Sequence, residues 1–101
     1  GVIGFARSLA LEVAGDGVTV NTICPGFVDT KMVADAEDDF VRYAGNGRSA
    51  KETLEMFRQS IPMGRFLDPT EIAAMALYLA SDDAKGVTGQ AFTISCGSVQ
   101  A

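Results

Sequence analysis

The residues best suited to chemistry are Cys24-Pro25-Gly26-Phe27-Val28-Asp29-Thr30, directly after the β-branched run Val18-Thr-Val-Asn-Thr-Ile23. Pro25 has no N–H to give to a sheet, so strand pairing must stop there. Gly26 lets a ligand approach the backbone closely. The residues after it can offer main-chain N–H and C=O groups together, the pair a primary amide needs. The Thr30 hydroxyl adds a further hydrogen bond for an amide or phosphate oxygen. A plain strand-ending turn would have the same composition, so this stretch alone leaves both readings open.

Other chemistries find less support. The 101 residues contain no histidine, which removes the commonest general base and the commonest metal ligand. Cys24 and Cys96 are too far apart in sequence for a metal-ligand spacing, and are read as free thiols in a reducing cytoplasm. The acidic group Asp35, Glu37, Asp38 and Asp39 lacks the glycine and the spacing of a calcium loop. It reads as the first turn of a short helix. A net charge of −5 with no Lys/Arg cluster argues against nucleic acid as a partner. The longest apolar run, Ile72 to Ala80, falls well short of a membrane span, and no signal peptide is visible.

Helix, strand, helical insert, helix and strand must position the Pro-Gly stretch. Val2, Ile3, Ala6, Leu9, Ala10 and Val13 recur at helical spacing over 1–14, with Phe5 and Leu11 widening the apolar surface to two sides. Gly15-Asp16-Gly17 stops that helix, and a strand is expected over 18–24. In the insert, Ser49-Ala-Lys-Glu52 forms a capping box ahead of an apolar face of Leu54, Phe57 and Ile61. Asp68-Pro69-Thr70-Glu71 opens the next helix, whose apolar face is Ile72, Met75, Ala76, Leu79 and Ala80 and in which Tyr78 is expected to pack. Gln90 to Ser95 reads as the last strand. Two strands joined by a long helical crossover imply a parallel pair within an α/β sheet. Ligands of such sheets bind beyond the carboxyl ends of the strands, where Pro25-Gly26 stands.

Four motifs, in order and at matching spacing, resemble the short-chain dehydrogenase/reductase family over essentially the whole chain. Gly4-Phe-Ala-Arg-Ser-Leu-Ala-Leu-Glu12 is similar to the helix after that family's catalytic Tyr-x-x-x-Lys. Val20 to Thr30 is similar to the strand and Pro-Gly loop lining the nicotinamide pocket. Pro62-Met-Gly-Arg-Phe66 with Pro69-Thr-Glu-Ile-Ala73 resembles the late loop and helix, and Thr88-Gly-Gln90 the opening of the last strand.

The resemblance implies one partial Rossmann-like domain over 1–101, the C-terminal portion of a doubly wound parallel sheet, with 31–60 as the substrate-loop helical insert. It implies NAD or NADP as cofactor and hydride transfer with an alcohol or carbonyl substrate. It further implies that Pro25 and Gly26 shape the wall beside the nicotinamide, that the Val28 backbone holds the carboxamide and that the Thr30 hydroxyl bonds the carboxamide or pyrophosphate region. Phe27 and Met32 would line the substrate pocket. A homodimer or homotetramer is expected.

The family's glycine-rich phosphate loop and its catalytic Tyr and Lys have no counterpart in the sequence. Neither Tyr43 nor Tyr78 is followed four residues later by lysine. Cys96-Gly97 stands where the family commonly has paired glycines. A chain opening at Gly1 directly in a helical pattern is expected to be the C-terminal part of an oxidoreductase, inactive by itself. The alternatives are a non-catalytic oligomerisation module and a different α/β nucleotide binder.

Overall fold

The computed structural model describes residues 1–29 and 50–98. The chain forms two compact units: Gly1–Pro25 with Thr70–Ile94, and Gly26–Pro69 with Ser95–Ala101.

The first unit holds the sheet. Helix α1 spans Val2–Val13 and runs into a 3₁₀ turn at Ala14–Asp16. Gly17 ends it in the left-handed region (φ 74°), which glycine enters without steric penalty. Strand β1 is Thr22–Pro25 and strand β2 is Ala91–Ile94. They pair in parallel, with Thr22 opposite Ala91 and Pro25 opposite Ile94, as the long crossover requires.

Both strands are shorter than the apolar pattern predicts, because ahead of them side-chain bonds mix with the backbone bond from the Gly89 N–H to the Val20 carbonyl (2.8 Å). Before β1, the Val20 N–H donates to Thr88 Oγ1 (3.0 Å), and Asn21 Nδ2 donates to the Val87 carbonyl (2.9 Å). The Gln90 N–H donates to Asn21 Oδ1 (3.2 Å), and the ladder begins at Thr22 rather than 18 in β1 and at Ala91 rather than 90 in β2. At the other end Ser95 accepts from the Ser98 N–H (3.0 Å) and belongs to a turn.

Helix α1 packs on one side rather than the expected two. Ala10 is buried, with Ala6, Leu9 and Val13 half-buried around it. Phe5 and Leu11 are 69% and 82% exposed. They lie far around the helix from Ala10, so a helix resting on one surface leaves them out.

The second unit contributes helix α2, Ala50–Ser60, ahead of the buried Ile61. Ser49 and the acidic group at 35–39 lie outside the described residues. The buried residue of α2 is Thr53, with Leu54 and Phe57 half-buried; the apolar periodicity marks the correct side but passes over its polar centre. Helix α3, Pro69–Leu79, belongs from Thr70 onward to the first unit and begins with proline at its first position, where the missing N–H has no intrahelical partner to lose. Ile72, Met75 and Leu79 are half-buried on its inner face. Tyr78 is 45% exposed rather than packed, since it projects to the side of that face.

Among the described residues no helix is long and apolar enough to cross a membrane, and no group of three metal-ligating side chains occurs. Both cysteines are free thiols, Cys96 buried and Cys24 half-buried.

Candidate functional site

β1 and β2 both lead, at their carboxyl ends, into the second unit: Gly26 follows Pro25 and Ser95 follows Ile94. The two segments meet there. A Cβ built on Gly26 would lie 3.1 Å from Ser95 Cα and 3.2 Å from Ser98 Oγ. Only glycine allows this approach without a shift of the serine turn.

The turn is fixed from its other side by the 61–64 segment. The Met63 N–H donates to the Cys96 carbonyl (3.0 Å). Gly97 packs so closely on the Pro62 ring that an added Cβ would come within 2.9 Å of it. Cys96 has φ 52° and Gly97 φ 92°. The backbone of a paired-glycine turn is therefore retained, with cysteine holding a conformation that glycine adopts freely and other residues adopt at a cost.

Beyond Gly26, the chain is held by Leu67, which is 2% exposed. The Leu67 N–H donates to the Phe27 carbonyl and the Asp29 N–H donates to the Leu67 carbonyl, both at 2.8 Å. These two bonds form a parallel bridge in which Val28 is the paired residue. In this pattern the neighbours of Val28 face the partner, so Val28's own N–H and C=O point away from Leu67. The bridge thus presents a donor and an acceptor side by side on the other edge.

The Phe27 side chain is held separately. Its ring centroid lies 5.9 Å from Phe57 on α2 and 6.4 Å from Phe66, both in tilted or edge-on arrangements. Arg58 places its guanidinium 5.6 Å over the Phe66 ring and pairs with Glu55. Thr53, Met56, Phe57 and Ser60 line a predominantly apolar groove of about 230 Å³ along α2.

Of the residues singled out from the sequence, Pro25 is the exposed last residue of β1, and Gly26 and Val28 are half-buried in the bridged loop. Phe27 is partly exposed within the aromatic group, so it is both packed and accessible. Thr30 and Met32, with most of the 31–60 insert, lie outside the described residues. Sequence reading missed Leu67, Phe66 and Ser95 as parts of this loop's support. The one available signal was an apolar Leu67 immediately before the Asp68-Pro69 helix start.

The sequence profile described as enoyl-(acyl carrier protein) reductase matches residues 1–98. The 3-oxoacyl-(acyl-carrier-protein) reductase FabG of Vibrio harveyi is 43% identical over 97 residues, covering 96% of this chain and 34% of that protein. An actinorhodin polyketide ketoreductase variant solved with NADPH superposes with a TM-score of 0.87 at 37% identity, covering 97% of this chain and 37% of that one. A short-chain dehydrogenase family protein from Francisella tularensis subsp. tularensis gives a TM-score of 0.86 at 32% identity, covering 96% of this chain and 39% of that one. The chain spans about a third of the length of these relatives. The parallel α/β pair, the Pro-Gly loop at its carboxyl end and these matches together place the chain in the short-chain dehydrogenase/reductase family, as the C-terminal portion of its Rossmann-type fold.

Proposed function

We propose that this chain supplies one wall of the nicotinamide site in an NAD(P)-dependent reductase of carbonyl compounds. The observation that carries the reading is the Val28–Leu67 bridge, which turns the Val28 N–H and C=O outward as an adjacent donor and acceptor. A primary carboxamide carries the complementary pair. The fit is supported by the close backing of Gly26 on Ser95, which fixes where the loop stands. The Thr30 hydroxyl adds a bond to the carboxamide or pyrophosphate region. Bound nicotinamide supplies the hydride, and the residues of this chain bind and orient it. The acid/base is a tyrosine tuned by a lysine four residues on, a pairing this sequence lacks, so by itself the chain is inactive.

The preferred nucleotide is NADPH, which the ketoreductase relative was solved with. The substrate is a carbonyl on an acyl chain. The name of the FabG relative supports that class, and the apolar groove along α2 suits an alkyl portion.

The test replaces Val28 by proline in the full-length protein. Proline removes the outward N–H and leaves both Leu67 bonds available. NADPH affinity should fall about 5- to 50-fold, the effect of a lost, unreplaced hydrogen bond. Unchanged affinity in a folded variant rules the assignment out.

A second role is favoured by the exposed Phe5 and Leu11 on α1. Large apolar side chains left exposed on a helix suit burial between subunits, and a homodimer or homotetramer is proposed on that basis.

A further inference from the structure

We propose that Phe27 is a positioning residue that couples helix α2 to the cofactor-facing backbone of Val28; this rests on the assignment of Val28 to the nicotinamide. Along an extended segment, adjacent residues have opposite roles. Phe27's carbonyl is committed to Leu67 and its ring to Phe57 and Phe66, whereas Val28's main-chain pair faces the other way. The packed ring therefore holds in place the residue whose carbonyl anchors the Leu67 bridge beside the peptide groups of Val28.

Two routes connect that ring to α2. Phe57 touches it directly, and Phe57 is also a wall of the apolar groove. Arg58, the next residue on the helix, lies over Phe66, which also contacts Phe27. An occupant of the groove that shifts Phe57 is thus felt at the cofactor loop, although Phe57 belongs to a different element. The coupling is reciprocal, so the nucleotide should also tighten the groove.

The test is a double-variant cycle in the full-length protein: Phe27→Leu, Phe57→Leu and the pair, with the NADPH dissociation constant as readout in the absence of any carbonyl substrate. Thermal melts confirm that each variant folds. Each single change should weaken NADPH about 2- to 10-fold, the range of one aromatic contact. The pair should be no weaker than Phe27→Leu alone, because both changes break the same connection. Gln59→Ala, an exposed change on α2, should leave the constant unaltered, which a general loosening of the helix would not. Normal NADPH binding by Phe57→Leu, or multiplied losses in the pair, overturns the coupling while leaving the Val28 assignment intact. A wild-type protein that binds neither NADPH nor NADH overturns both.

Discussion

Val28 and Leu67, 39 positions apart in the chain, form an isolated parallel bridge whose two hydrogen bonds are both 2.8 Å long. The bridge gives the loop after β1 a fixed edge without making it part of a sheet. It uses the polar groups of Phe27 and Asp29 and turns those of Val28 outward. The predictions below concern the contacts that hold this arrangement and the sheet that feeds it.

Gly26 backs closely on the Ser95–Ser98 turn, so that an added Cβ would meet it. Gly26→Ala brings a methyl within 3.1 Å of Ser95 Cα, a backbone atom that can only yield with the turn. The full-length variant should stay folded but bind NADPH about 3- to 30-fold more weakly, since a few tenths of an ångström of loop shift would disturb the two-point hydrogen bond proposed for Val28. Isothermal titration measures it.

Gly97 faces two separate obstacles to any side chain: φ 92° and the Pro62 ring. Gly97→Ala should destabilise the protein by about 2–4 kcal/mol in urea unfolding, combining backbone strain with overpacking. Adding Pro62→Gly should recover the steric part and not the strain. Full recovery would show that the positive φ contributes nothing.

Cys96 inverts a usual order. At an ordinary position glycine is less stable than alanine, but at φ 52° a Cβ is disfavoured. Cys96→Gly should therefore be more stable than Cys96→Ala by about 1 kcal/mol, and Cys96→Val the least stable of the three. Equilibrium unfolding of the set gives the ranking directly.

Asn21 bridges to both Val87 and Gln90 through one side-chain amide. Asn21→Leu leaves the part-buried Val87 carbonyl and the exposed Gln90 N–H without that partner. A loss of about 1–3 kcal/mol is expected, with faster hydrogen exchange at the Gln90 amide. Exchange at Gln90 equal to wild type would show that the Asn21 bond does not protect that amide.

The fold and the loop were legible in the sequence because they rest on local rules. Pro25 must stop a ladder, Pro69 suits a helix start, and the apolar periods marked α1, α2 and α3 as helices. The strand limits were not legible, because the Thr88 and Asn21 side chains, remote in sequence from their partners, take the N–H groups of Val20 and Gln90 just ahead of β1 and β2. Tyr78 was misjudged because an apolar helix declares that it packs, not which of its sides meets a neighbour.

The sequence by itself determined that strand β1 would end at Pro25-Gly26 and that the groups beyond it would be main-chain donors and acceptors, since proline's missing N–H and glycine's missing side chain act wherever they stand. Only the tertiary structure decided which of those groups face outward. That choice depends on Leu67 arriving beside Val28, on Ser95 closing against Gly26 and on Phe57 and Phe66 flanking Phe27. All are contacts between distant segments, and a hydrogen-bonding direction is set by the partner that takes the opposite edge.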